Sequence, residues 1–108
     1  MPQIDLSSLA PKETAPGFSA RFIHTTSMTL AYFDIKAGSG SQEHAHVHEQ
    51  VSQVLEGTFQ LTVAGEPIVL TPGRIVVIPS NTPHSGLALT DCKLLDIFTP
   101  VREDFLNL

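Results

Sequence analysis

The chain has 108 residues and a formal charge of −5, with six Lys and Arg against eleven Asp and Glu. It therefore supplies core for one domain and no basic stripe for a phosphate backbone. At 42% hydrophobic and 16% charged residues it falls in the globular range, away from the apolar-poor disordered class. A lone cysteine, Cys92, excludes an intrachain disulfide framework and a multi-cysteine zinc site, so any metal must rely mainly on nitrogen and oxygen donors.

Residues 1–17 carry Pro2, Pro11 and Pro16 without sustained periodicity and are expected to form an arm on the domain surface or on a partner subunit, leaving 18–108 as a single domain. Residues 1–10 lack a basic start followed by an apolar run, and no stretch approaches the roughly 20 apolar residues of a membrane span. A cytoplasmic protein with neither membrane nor nucleic-acid partners is the expectation. From Phe18 onward, short runs of Val, Ile, Leu, Thr and Phe are broken by Gly, Pro or Asn. Strands are predicted over 20–25, 29–36, 51–56, 58–63, 67–70, 74–78, 84–89 and 93–98. Turn residues such as Gly38, Gly57, Gly65, Gly73 and Asn81 separate them. About eight antiparallel strands in so short a chain predict an all-β fold, a small jelly-roll barrel that closes or covers its own edges.

Three of the five histidines fall in Glu43-His44-Ala45-His46-Val47-His48-Glu49-Gln50. Along a regular extended chain His44, His46, His48 and Gln50 would share one side. Imidazoles crowded together repel once protonated, and a divalent cation is a usual reason to gather them neutral. His84, at the start of a later predicted strand, can be brought opposite this cluster by a barrel.

These residues resemble the cupin superfamily. Gly38, His44, His46, Gln50 and Gly57 reproduce the spacing of its first motif, with Gln in place of Glu. Gly73, Pro79, Asn81, His84 and Ala88 follow the second, with Asn81 replacing a glycine and Ala88 an asparagine. The resemblance implies one divalent metal ion (Zn, Ni, Fe, Mn or Cu) held by His44, His46, Gln50 and His84. A rival register uses Gly40, His46, His48 and Gln53 but misses Gly57, which leaves His48 and Gln53 as a fallback pair. Resemblance also implies a homodimer. Three imidazoles and a neutral amide would leave the full 2+ charge on the ion, a stronger Lewis acid than a glutamate-bound one.

Asp96 interrupts the apolar run Lys93-Leu94-Leu95-Asp96-Ile97-Phe98, and Arg102 follows shortly after. By pattern alone Asp96 could face water, and Arg102 could be an ordinary surface arginine. The segment Asp-Ile-Phe-Thr-Pro-Val-Arg-Glu-Asp-Phe is similar to the closing segment of pectin-degradation cupins, which linearise 4,5-unsaturated monouronates. That resemblance implies Asp96 as general acid or base, Arg102 as a fork for the substrate carboxylate, and Phe98 as cavity wall and substrate contact. The expected partner is a small anionic sugar. Two other readings stay open: a different metal-dependent cupin enzyme such as a dioxygenase, and a binding module that holds a small acid without turnover. His24 and Cys92 are expected to be structural.

Overall fold

The computed structural model describes residues 2–108. Ten strands form two antiparallel sheets: β1 (Lys12–Ala15), β2 (Phe18–His24), β3 (Thr29–Ile35), β4 (Gly40–His44), β5 (Glu49–Glu56), β6 (Phe59–Val63), β7 (Glu66–Leu70), β8 (Ile75–Ile78), β9 (His84–Ala88) and β10 (Cys92–Thr99). One sheet runs in the order β1-β2-β3-β10-β5-β8 and the other β4-β9-β6-β7. This is the all-β, two-sheet jelly-roll barrel expected from the turn rhythm. A 3-10 turn (Leu6–Ser8) precedes the strands, and a short helix α1 (Glu103–Leu106) follows them.

Strand formation follows from alternation. In β3, Thr29, Ala31, Phe33 and Ile35 point inward, and in β10 Cys92, Leu94, Asp96 and Phe98 do the same. These side chains meet Phe59, Leu61, Leu70 and Ala88 of the second sheet in one core. Cys92 lies in that core with its Sγ donating to the Thr58 carbonyl at 3.1 Å, a structural thiol.

Two strands went unforeseen. Within the expected arm, β1 pairs with β2, and the Leu9 carbonyl accepts from Arg21 Nε at 2.9 Å, so the segment is bound to its own domain. Its four residues are too few and too exposed to show an alternating pattern. Strand β4 is equally polar; it pairs with β9, with a register irregularity between Ser41 and His44.

The two sheets differ on their outer faces. On the six-stranded sheet the register aligns Ile23, Leu30, Ile97, Val51 and Val77 in one row across five strands. Tyr32, Leu95, Gln53 and Ile75 align in the next row. The four-stranded sheet instead presents Ser85, Thr62 and Pro67 in one row and Leu87, Gln60 and Val69 in another.

Gly57 explains its place between β5 and β6. It has a φ of 87°, and a Cβ there would collide with the Asp91 carbonyl oxygen and approach the Thr90 hydroxyl. Gly38 and Gly65 also have positive φ, but open space surrounds them. Gly57→Ala is therefore expected to destabilise the fold by about 2–4 kcal/mol and Gly65→Ala by about 1 kcal/mol. Urea denaturation checks the ranking, and equal losses would contradict it.

Candidate metal centre

The histidine stretch is not one strand. β4 ends at His44 and β5 begins at Glu49, so His46 and His48 lie on the connection between them. The expectation that His44, His46, His48 and Gln50 share one side of a regular strand is corrected accordingly. The connection is tied down by the turn before β9: the Asn81 N–H donates to the His46 carbonyl at 2.7 Å, and the Ser80 hydroxyl donates to the Val47 carbonyl. Asn81 sits at φ 61°, a left-handed conformation that asparagine tolerates, so it serves where the motif has glycine.

That turn also delivers His84, which is directly paired with His44 across β9 and β4. The ring centres of His84 lie 4.3 Å from His44 and 5.0 Å from His46. One ligand atom from each of His44, His46 and His84 falls within 4.8 Å of the others. Gln50, buried on β5, brings its Oε1 to 3.0 Å from His46 Nε2. Gln53 is three positions along β5, on the outer side by alternation, and it is absent from the cavity wall that contains Gln50 and Ser52. His48 meets the His46 ring edge-on, 5.5 Å between ring centres, outside the three-histidine group.

Hydrogen bonding sets the chemistry of the group. Each Nδ1 faces a backbone carbonyl: His44 to Gln42 at 2.8 Å, His46 to His48 at 2.9 Å and His84 to Thr82 at 2.8 Å. A carbonyl oxygen can only accept, so each Nδ1 carries a proton, which leaves Nε2 as the nitrogen able to offer a lone pair to a metal. His84 Nε2 is buried with no hydrogen-bond partner. Burial, the largest cause, holds His84 below its usual pKa, and it does the same to His46, where the Arg102 charge adds to it.

At His46 the consequence is sharper. The Gln50 amide nitrogen donates to Ser52 Oγ at 2.9 Å, which turns Oε1 toward His46. Nε2 and Oε1 then meet as two lone-pair atoms without a proton between them. A cation accepting both removes that repulsion. The donor set of three imidazole nitrogens and one amide oxygen thus fits a divalent metal, and the carbonyl partners are the kind that orient histidine ligands.

A cavity of about 250 Å³ adjoins this group, walled in part by Gln50, Ser52, Asp96, Phe98 and Arg102. Asp96 faces Ser52 across β10 and β5 and is 8% exposed, with one oxygen lacking any partner. Burial pushes its carboxyl up to about 6, while hydrogen bonding from Ser52 and Gln50 and the Arg102 charge pull the other way. Phe98 is buried, 5.7 Å from the His46 ring. The Arg102 guanidinium lies 4.7 Å from the Phe98 ring centre and 4.0 Å from that of Phe105. Its Nε and Nη2 donate to Asp104 at 3.0 and 2.7 Å.

Several contributors were not singled out in the sequence. Ser52 orients Gln50, and the period of two along β5 could have revealed it. Thr29 accepts the Arg102 N–H at 2.9 Å and sits 2.9 Å from His24 Nδ1, giving His24 its expected structural role; no local pattern signals this long-range contact. Asp104 and Phe105 sit beside Arg102 in sequence, but only the turn into α1 folds them back onto it.

The raised carboxyl of Asp96 has a calculable effect on stability. Its folded-state value lies above the unfolded one, so its favourable contribution is complete below about 3.8 and is lost as pH rises through about 6. The gap between the two values corresponds to roughly 3 kcal/mol. Asp96→Asn, which does not titrate, is expected to raise the melting temperature of chelator-treated protein at pH 8 by several degrees, with the gain shrinking toward pH 5. Thermal unfolding across that range checks it, and a gain independent of pH would count against the buried carboxylate.

Among known proteins, residues 31–98 match Cupin_2, the cupin domain family. The pectin degradation protein KdgF of Dickeya dadantii (strain 3937) is 31% identical over 72 residues, 66% of this chain and 66% of that protein. The structure of KdgF from Halomonas sp. superposes with a TM-score of 0.87 at 28% identity, covering 92% of this chain and 93% of its own. Salicylate 1,2-dioxygenase from Pseudaminobacter salicylatoxidans superposes at 0.76 with 26% identity, over 82% of this chain but 28% of its own. With well over half its length matched, and two antiparallel sheets enclosing a histidine group where the motifs put it, the chain belongs to the cupin domain family.

Proposed function

We propose that the chain is a metal-dependent enzyme that converts 4,5-unsaturated monouronates to their linear keto forms. The observation that carries this reading is the cavity, which combines a metal-compatible donor set, a buried carboxyl pushed up to about 6 and an arginine in one wall. The similarity to two KdgF proteins, one described as a pectin degradation protein, supports the substrate class.

Such a sugar carries a carboxylate, an enol-ether double bond between C4 and C5, and a hemiacetal at C1. Opening it moves protons near C4 and at a ring or anomeric oxygen while charge develops on oxygen. A divalent ion held by His44, His46, His84 and Gln50 supplies Lewis-acid polarisation of substrate oxygens. Asp96, near neutrality in its titration, can give or take a proton at the sugar without a large driving-force penalty. Arg102 binds the substrate carboxylate, and Phe98 supplies an apolar wall that keeps water from the reacting face. At a net charge of −5 the protein offers no long-range attraction for an anion, so local groups must hold it.

A dioxygenase is the second reading, favoured by the likeness to salicylate 1,2-dioxygenase. The deciding experiment follows loss of the double-bond ultraviolet absorbance of freshly generated unsaturated galacturonate, together with oxygen uptake. Acceleration by the metal-loaded wild type without oxygen uptake supports ring opening. Arg102→Ala is then expected to raise KM by about tenfold or more, and Asp96→Asn to lower kcat by about 100-fold, both with metal content unchanged. Small, equal effects from the two variants would dismiss these roles.

We further infer that two copies associate through the outer face of the six-stranded sheet. Val77 and Ile75 are each 56% exposed there, Val77 in a row with Ile23, Leu30, Ile97 and Val51 and Ile75 in a row with Arg21, Tyr32, Leu95 and Gln53. The charges at one end, Arg21, Lys93 and Asp34, already pair with one another, so the face calls for an uncharged partner such as itself. Five strands at about 4.8 Å spacing and seven residues of length give about 550 Å² per copy, near the lower bound for a specific dimer. Light scattering is expected to show a dimer that Val77→Lys with Leu95→Lys converts to monomer. A monomeric wild type, or a dimer indifferent to both changes, would refute it.

A further inference from the structure

Arg102 is held from three directions. Its backbone N–H is fixed by Thr29 Oγ1, its guanidinium lies against the Phe98 and Phe105 rings, and its Nε and Nη2 are forked by the two oxygens of Asp104. The arginine is mostly enclosed, with its side chain 11% exposed, and it borders the cavity. Asp104 is 59% exposed and takes no part in the cavity wall.

A guanidinium has two edges able to bind a carboxylate in a fork, the side edge of Nε with one Nη2 proton and the end edge of Nη1 with the other Nη2 proton. Asp104 occupies the first. The end-edge donors make no hydrogen bond among the described residues. We propose that Asp104 is a positioning residue, gripping Arg102 by its side edge from the solvent side so that the end edge is presented, already oriented, to a carboxylate in the cavity. The inference rests on the reading of Arg102 as the partner of the substrate carboxylate.

This role is separable from simple electrostatics by the sign of its effect. Removing a negative charge beside a cationic anion site should, by Coulomb attraction alone, tighten anion binding. The same follows if Asp104 merely competes with the substrate for the arginine. Loss of positioning does the opposite, because an arginine free to sample rotamers must be ordered when the anion binds.

The test uses the full, metal-loaded chain and calorimetric titration with D-galacturonate and with D-galactose, its uncharged counterpart, on wild type and Asp104→Asn. The variant should fold normally, since Asp104 is exposed, and an unchanged melting temperature confirms this. The expected result is about tenfold weaker galacturonate binding in Asp104→Asn with galactose binding unaltered, and, in turnover, a raised KM with kcat nearly unchanged. Galacturonate binding that is unchanged or tighter in the variant overturns the proposal, as does a wild type that binds galacturonate no better than galactose. If the wild type prefers galacturonate yet opens no unsaturated uronate, the proposed reaction fails while the comparison of wild type with Asp104→Asn still decides the role of Asp104.

Discussion

Three backbone carbonyls govern this protein's chemistry. Those of Gln42, His48 and Thr82 each take the Nδ1 proton of a histidine, fixing ring orientation and tautomer together. Without them the imidazoles of His44, His46 and His84 would be free to turn or to present an N–H to the centre. With them, three Nε2 lone pairs and the oxygen of Gln50 converge. The geometry of the surrounding strands serves this arrangement: the irregular pairing of β4 with β9, the left-handed turn at Asn81 and the bond from Asn81 to His46 all set where those carbonyls lie.

Polar groups inside the barrel form a chain rather than a scatter. Gln50 is oriented by Ser52, Ser52 faces Asp96, and Asp96 shares its strand face with Phe98, against which Arg102 lies. Each link places a costly buried group where it affects a neighbour. The carboxyl of Asp96 is the clearest example, since its burial is unfavourable for folding and is what brings its titration toward neutrality. Arg102 illustrates a different economy, being a cation whose charge is already matched by Asp104 while three of its five guanidinium N–H donors remain uncommitted.

Much of this was legible in the sequence because strand alternation and turn chemistry are local. The eight strands foreseen correspond to observed strands, and the spacing of Gly38, His44, His46, Gln50 and Gly57 pointed to ligand candidates that the fold brings together. The polar strands β1 and β4 were missed, since neither has an apolar face to declare it; their pairing partners create them. The regular histidine strand failed for the complementary reason. Alternation predicted one continuous face, whereas the chain breaks after His44 and hydrogen bonds from a distant turn shape the connection.

By itself the sequence determined an all-β domain, a concentration of imidazoles suited to a metal, and the pairing of Asp96 with Phe98 on one strand face, because these depend on residue type and on a period of two. Only the tertiary structure decided which histidines meet, that Gln50 rather than Gln53 faces them, and that Arg102 arrives in the cavity already gripped by Asp104. Those outcomes depend on sheet register and on contacts between residues far apart in the chain, such as Thr29 with Arg102 and Asn81 with His46, which no local pattern encodes.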